Sequence, residues 1–241
     1  SFTHLYPAQS DPQRHTVETN LDALRVLGIE PAAADKRVTL VPGAAAEARV
    51  EQLLARHGLQ AGRFVHVHPA SRWAFKCWPA DRVAAVCDAL AAKGLAIVLT
   101  SAPDAGEKAL DAEVRAAQRL GAAPAPAVDL SGQLSLKDLA ALTARARLFV
   151  GVDSAPMHMA AAMGTPVVAI FGPSGDREWG PWDPMHGGHR VVASNSHPCR
   201  PCGMAGCNDS KVSQCLTTLP VAQVLSACEE LLAVVPGRQD R

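Results

Sequence analysis

Apolar residues recur along this chain in two alternating rhythms. Short β-branched runs lie at Phe64–His68, Ala96–Thr100, Ala127–Leu130, Leu148–Val152, Val167–Phe171 and Val191–Ala193, with a shorter apolar run at Val38–Val41. Between them lie segments with helical spacing: Ala44–His57, Ala80–Ala92, Ala105–Leu120, Ser135–Ala146, Pro156–Met163 and Val221–Val234. Gly58, Gly94 and Gly121 are stop signals, Pro79 suits a first turn, and Ser135 suits an N-cap. Strands separated by helices of ordinary length predict an α/β fold: a Rossmann-like parallel sheet with helices on both faces. In such sheets ligands bind beyond the carboxyl ends of the strands. That rule selects the loops 69–78, 101–107, 132–134, 153–158 and 172–175.

The start of the chain reads differently. One helix is predicted over His15–Leu27, with Val17, Leu21, Leu24 and Val26 apolar, after a polar stretch from Pro7 to Gln13. It has no sheet of its own. We therefore expect residues 1–37 to be the tail of a preceding domain plus a linker, and residues 38–241 to be the ligand-binding domain.

Composition narrows the function classes. The chain has 241 residues, room for one large α/β domain with an arm, and 48 % are hydrophobic, enough for a sizeable core. Formal net charge is zero, so no basic excess answers a nucleic-acid backbone, and none is expected as a partner. No apolar run is long enough to span a bilayer. The first residues, Ser1 to Pro7, have neither the basic nor the apolar region of a signal peptide, and no initiator Met is present. The expectation is a reducing, cytoplasmic compartment and a chain that begins partway through a gene product.

Chemistry concentrates at two strand ends. His68-Pro69-Ala70-Ser71-Arg72-Trp73-Ala74-Phe75-Lys76-Cys77-Trp78-Pro79 joins a strand to a helix. Small residues there let a ligand approach the backbone. The Ser71 hydroxyl can donate to a phosphate, and Lys76 is a cation suited to a leaving diphosphate. The plain alternative is a surface loop with a solvated lysine and two tryptophans as lids. Gly151-Val152-Asp153-Ser154-Ala155-Pro156-Met157-His158 also joins a strand to a helix. Ser154 and Ala155 fall at the cap, where free N–H groups and the positive helix end favour an anion. Asp153 cannot itself bind phosphate, but it can orient a hydroxyl or a basic partner such as His158. The alternative is an ordinary capped helix with a structural histidine.

Two further stretches carry weaker signals. Phe171-Gly172-Pro173-Ser174-Gly175 would allow close contact with a sugar or phosphate, although Gly-Pro marks turns generally. Asp104 and Glu107 follow a strand and could hold ribose hydroxyls, although such residues are more often solvated helix-start charges.

Seven cysteines are present. Cys77, Cys87 and Cys228 fall in helix-like segments as buried thiols or bystanders. The other four form Cys199-x2-Cys202-x4-Cys207-x7-Cys215. Four thiols could hold a structural zinc, but the spacing favours reduced thiols or facultative disulfides.

Taken together, His68-Pro-Ala-Ser-Arg-Trp through Lys76-x-Trp78-Pro79, Asp129-Leu-Ser-Gly132 with Leu136, Gly151-Val-Asp-Ser-Ala-Pro-Met-His158 and Phe171-Gly-Pro-Ser174 resemble glycosyltransferase family 9, the ADP-heptose:lipopolysaccharide heptosyltransferases. The resemblance runs over about residues 13 to 235. The stretch Gly206-Cys207-Asn-Asp-Ser-Lys-Val-Ser-Gln-Cys215-Leu resembles the heptosyltransferase III branch. It implies the C-terminal donor-binding domain of a GT-B fold and an inverting transfer of heptose from ADP-heptose to the inner core of lipopolysaccharide. By matching position it implies that Ser71 contacts the donor phosphates and that Lys76 steadies the leaving diphosphate. Asp153, Ser154, Ala155 and His158 would line the sugar-diphosphate pocket, and Leu134 would lie near the adenine.

Two departures stand out. The family's acidic contact to ribose falls at Ala105, and its Gly-rich loop with the general-base Asp has no counterpart here. The implied partners are ADP-heptose or ADP and a lipopolysaccharide acceptor held by another domain, with peripheral contact to the inner membrane. ADP-heptose is a substrate, and no cofactor is implied. Competing readings are a GT-B transferase using a UDP- or GDP-sugar and a non-catalytic nucleotide- or zinc-binding module. A dehydrogenase is disfavoured, because no Gly-x-Gly-x-x-Gly opens a strand–helix turn.

Overall fold

The computed structural model describes residues 11, 13–119, 127–182 and 188–234. Its elements in chain order are α1 (Thr16–Arg25), α2 (Ala44–Arg56), β1 (Phe64–His68), α3 (Ala80–Ala92), β2 (Ala96–Leu99), α4 (Ala105–Ala117), β3 (Ala127–Asp129), α5 (Leu136–Arg145), β4 (Leu148–Val152), α6 (Ala155–Ala162), β5 (Val167–Phe171), α7 (Asp176–Trp179), β6 (His189–Ala193), α8 (Gln214–Thr217) and α9 (Val221–Val234). The six strands form one sheet in the order β3-β2-β1-β4-β5-β6, and all pairs are parallel. This is a doubly wound, Rossmann-like α/β fold.

The residues explain the layers. β1, β2, β4 and β5 are buried along their whole length, so they need apolar side chains on both faces rather than alternation. On one face α3, α4 and α9 supply Val83, Leu90, Val114, Val224 and Leu231 against Val65, Ile97 and Val150. On the other, α2 and α5 bring Val50, Leu54 and Leu142 against Phe64 and Val98. There α6 also sets Met157 and Ala160 against Phe149 and Phe171. Ser135 caps α5: its Oγ accepts from the Asp138 backbone N–H, and Asp138 answers in a reciprocal capping box. Gly151 permits a close approach in β4, since a Cβ there would lie 2.8 Å from the His68 carbonyl oxygen and 2.7 Å from the Phe149 ring.

The strand order places the site. β1 connects outward to β2 and β3 on one side, and β4 to β5 and β6 on the other. The connections therefore leave β1 and β4 on opposite faces, and a crevice opens between them at their carboxyl ends. The loops after β1 and β4 are those carrying Ser71–Lys76 and Asp153–His158.

Some expectations are corrected. Val38–Val41 joins no strand; Val38 is 50 % and Val41 69 % exposed. α4 ends at Ala117, and most of the expected 122–127 loop lies outside the described residues, as does the stretch before residue 11. The expected N-terminal helix is α1, and none of its residues is buried.

Candidate functional site

The loop after β1 is short and tightly held. Ala74–Lys76 forms one 3₁₀ turn, with the Lys76 backbone N–H donating to the Trp73 carbonyl at 2.9 Å. The Ser71 Oγ accepts from the Trp73 backbone N–H at 3.3 Å. The two tryptophans part company. Trp78 is fully buried in the core, whereas Trp73 is 53 % exposed, stacked on Phe75 and under the Arg72 guanidinium. Only Trp73 is placed as a lid. Cys77 is half-buried beyond the turn, and Cys87 and Cys228 are buried, their thiols pushed up to about 12 by desolvation.

The turn aims Lys76 across the crevice. Its Nζ donates to Asp153 Oδ2 at 2.6 Å. Asp153 is buried at the end of β4, so this ion pair bridges the two loops out of bulk water, where it is stronger than a surface pair. Asp153 is thereby committed to Lys76 rather than to His158. Next to it, α6 begins without a side-chain cap: Ser154 is extended, and its Oγ donates weakly to the Val152 carbonyl at 3.3 Å. Pro156 carries no N–H and the Met157 N–H donates to the Ser154 carbonyl at 3.1 Å, so the Ala155 N–H is the donor left at the start of α6, where the helix end adds partial positive charge. Burial lowers the His158 pKa, opposed by the nearby Asp153 carboxylate, so the imidazole is neutral at pH 7.

One cavity of about 680 Å³ gathers these groups. Ser71, Lys76, Leu134, Asp153, Ser154, Ala155 and His158 all line it. Its wall combines the apolar Leu134 and Leu139 with the start of α6 and the Lys76–Asp153 pair. An elongated ligand with an apolar ring and an anionic group fits this polarity.

Other expected groups fall elsewhere. Asp104 is the N-cap of α4; its Oδ1 accepts from the Gly106 and Glu107 backbone N–H groups at 2.8 and 3.1 Å, which is the plain structural role. Ala105 is exposed and absent from the cavity wall. The Gly172–Gly175 turn also lies off the cavity. Gly172 is there because a Cβ would strike Leu216 at 2.6 Å, and its carbonyl accepts from Arg200 Nε at 2.5 Å.

The cysteine-rich loop packs against that same turn. The Cys202 and Gly203 backbone N–H groups donate to the Pro173 carbonyl. Cys199 and Cys202 are exposed while Cys215 is buried, and all four thiols are free. Among the described residues no group of three or more His, Cys, Asp or Glu is arranged to hold a metal ion. Backbone bonds and Arg200 tie the loop to this turn.

Two more residues belong to this cavity: Glu107, offered above as a contact to ribose hydroxyls, and His68, which had no assigned role. His68 and Glu107 both line it, with His68 Nε2 and Glu107 Oε2 4.0 Å apart. His68 stood in the first motif, but nothing in its spacing marked it as facing inward.

The model of glycosyltransferase family 9 (heptosyltransferase) matches residues 4–212. The chain is 35 % identical over 237 residues to lipopolysaccharide heptosyltransferase 3 of Escherichia coli, across 96 % of this chain and 64 % of that protein. It is 37 % identical over 182 residues to the protein of that name from Escherichia coli strain K12, across 76 % of this chain and 50 % of that one. The chain thus spans between half and two thirds of the length of these relatives.

Among solved structures, a family 9 glycosyl transferase from Veillonella parvula DSM 2008 superposes with a TM-score of 0.74 at 22 % identity, over 94 % of this chain and 62 % of that one. Escherichia coli heptosyltransferase WaaC with ADP-2-deoxy-2-fluoro heptose gives 0.60 at 19 %, over 95 % and 59 %. The shared fold agrees with the family match, and the extent of that match decides membership: the chain belongs to glycosyltransferase family 9, the heptosyltransferases.

Proposed function

We propose that this chain supplies the donor side of heptose transfer, binding ADP-heptose, or ADP after reaction, in the cavity between β1 and β4. The observation that carries this reading is the Lys76–Asp153 pair beside the uncapped start of α6. A diphosphate entering there would meet one side-chain cation, the Ala155 N–H and the positive end of α6. Leu134 would take the adenine, and Ser71 would donate to a phosphate. Ser154, Ala155 and His158 would line the sugar side.

The reaction proposed is an inverting one. An acceptor hydroxyl of the lipopolysaccharide inner core attacks C1 of the heptose, the C1–O bond to phosphate breaks, and ADP departs with the electron pair. Lys76 and the positive end of α6 would neutralise charge as it grows on the leaving phosphate. Within the cavity Asp153 is held by Lys76, and Glu107 accepts the Ala102 N–H. The general base would come from the acceptor-binding domain, as the family resemblance implies. Residues 1–37 would be tail and linker of an acceptor-binding domain and 38–241 the donor domain. The setting would be cytoplasmic, at the inner face of the inner membrane; among the described residues no helix is long and apolar enough to cross it.

Titration calorimetry with Lys76→Ala tests the reading. Loss of a charge-assisted bond should weaken ADP by roughly 10–100-fold and adenosine by much less. Asp153, left unpaired, would add repulsion, so Lys76→Ala with Asp153→Asn should recover part of the loss. Equal losses for ADP and adenosine would make Lys76 a structural residue. Ranking ADP, UDP and GDP by thermal shift settles the base, because the tighter ligand stabilises more by mass action.

A further inference from the structure

Beneath the cavity floor lies a closed chain of buried polar contacts. Thr143 Oγ1 is 2.7 Å from the Leu139 carbonyl oxygen and 2.8 Å from His66 Nδ1. His66 Nε2 is 2.7 Å from Thr100 Oγ1, and Thr100 Oγ1 is 2.8 Å from His68 Nδ1. All four side chains are buried.

Proton counting gives the chain one direction. A hydroxyl oxygen 2.7 Å from a carbonyl oxygen needs a proton between them, and only Thr143 can supply it. With its single hydrogen spent on Leu139, Thr143 must accept from His66 Nδ1–H. A neutral His66 then has a bare Nε2, which accepts from the Thr100 hydroxyl. Thr100 in turn must accept from His68 Nδ1–H. Desolvation keeps both rings neutral, holding His66 well below its ordinary range and His68 down to about 4. His68 Nε2 is left as a lone pair on the cavity wall.

Glu107 Oε2, 4.0 Å away, is also an acceptor, already taking the Ala102 N–H at 2.9 Å. Two acceptors face the cavity with no proton between them. A group offering two donors at about 2.8–3.0 Å from each would satisfy both. A vicinal sugar diol has that form, and so does an exocyclic amine. A group that only accepts would be repelled.

We propose that His68 is a specificity-determining residue of this cavity: the Thr143–His66–Thr100 chain locks its Nε2 as an acceptor, and with Glu107 it selects a ligand presenting a paired hydrogen-bond donor. This rests on reading the cavity as a nucleotide-sugar site. The lock explains why a core strand carries two histidines, a residue type that hydrophobic packing alone would not favour.

The lock itself is tested without ligand. Long-range ¹H–¹⁵N correlation spectra at pH 7 should show both rings with Nδ1 protonated and Nε2 bare. Thr100→Val should release His68 into a mixture of tautomers while His66 keeps its Nδ1–H. An Nε2–H tautomer or an imidazolium at His68 in the unaltered protein would overturn the proposal.

Selection is tested by binding. In the unaltered chain, 2′-deoxy-ADP or 3′-deoxy-ADP should bind roughly tenfold more weakly than ADP if the donor is the diol, and inosine diphosphate should do so if it is the amine. His68→Asn retains a donor toward Thr100 but lacks the acceptor. With it the sensitive analogue and ADP should bind within about twofold of each other. The same tenfold loss in both proteins, or no loss with any analogue, would overturn the selection. Failure of ADP to bind at all would instead overturn the nucleotide reading, and the tautomer spectra would still decide the lock.

Discussion

In the N-terminal arm, residues 13–36, charges meet charges in solvent. Glu18 pairs with Arg25 at 2.7 Å and Lys36 at 2.8 Å, and Asp22 with Arg14 at 2.5 Å and Arg25 at 2.7 Å. α1 buries none of its residues. The arm touches the sheet domain through His15, which donates from Nε2 to the Gly180 carbonyl and lies against Trp182, and through Trp182, whose Nε1–H donates to the Lys36 carbonyl. In the sheet domain most charges are also exposed, but three carboxylates are buried. Asp153 is buried with Lys76, Asp138 with Arg49, and Asp111 is buried with only hydroxyl help from Ser131 at 2.5 Å. Desolvation pushes Asp111 up to about 6. The contrast shows that the arm is ordered by screened, individually small terms, and the domain by apolar burial strong enough to carry a misplaced carboxylate.

The largest break in this contrast should come from the core. Phe149 is fully buried between α6 and the sheet and meets His66 edge-on at 5.0 Å. Phe149→Ala should cost about 3–5 kcal/mol in urea unfolding. A loss under 1 kcal/mol would mean that the α6 layer is not part of the cooperative unit.

Asp111 gives a smaller effect of opposite sign. Its folded pKa of about 6 exceeds the ordinary 3.8, so the folded state binds the extra proton. Stability from this group is full below about pH 4 and lost as pH rises through 6. Asp111→Asn should therefore stabilise the domain by about 1–3 kcal/mol at pH 7.5, with the gain vanishing near pH 4. Melting curves at the two pH values check it, and a gain independent of pH would assign the effect to something other than ionisation.

The arm should answer acid in the other direction. Hydrogen bonds from Arg14 and then Arg25 hold Asp22 down to about 2, and the Lys36 ammonium holds Glu18 below its ordinary value. Their contribution is present above pH 4 and is lost as pH falls through the lowered values. Salt should mimic this by screening. Arg25→Ala should speed amide hydrogen exchange within α1 while the thermal midpoint of the domain moves by no more than about 1 °C. A large midpoint shift would make the arm an integral part of the fold.

Legibility followed the range of the physics involved. Helix limits were readable where a stop was local: Gly94 ends α3 and Ser135 caps α5, because caps and left-handed glycines act within one turn. The apolar run at 38–41 forms no strand, since three apolar residues and a threonine do not say whether a sheet edge is there to receive them. Zinc was considered from spacing alone, and spacing does not say that Cys199 and Cys202 are exposed while Cys215 is buried. Asp153 was offered His158 because that residue is near in sequence, whereas its partner, Lys76, is distant in the chain and close across the crevice.

The sequence by itself determined the α/β class, the parallel sheet and the two motifs whose loops bear the candidate donor site. Those follow from periodicity and turn chemistry, which are local. Tertiary structure alone decided that β1 and β4 are neighbours, that Lys76 reaches Asp153, and that His68 stands beside Glu107 at the end of a buried proton chain. Each depends on strand order, and strand order brings together residues that no short window of sequence can relate.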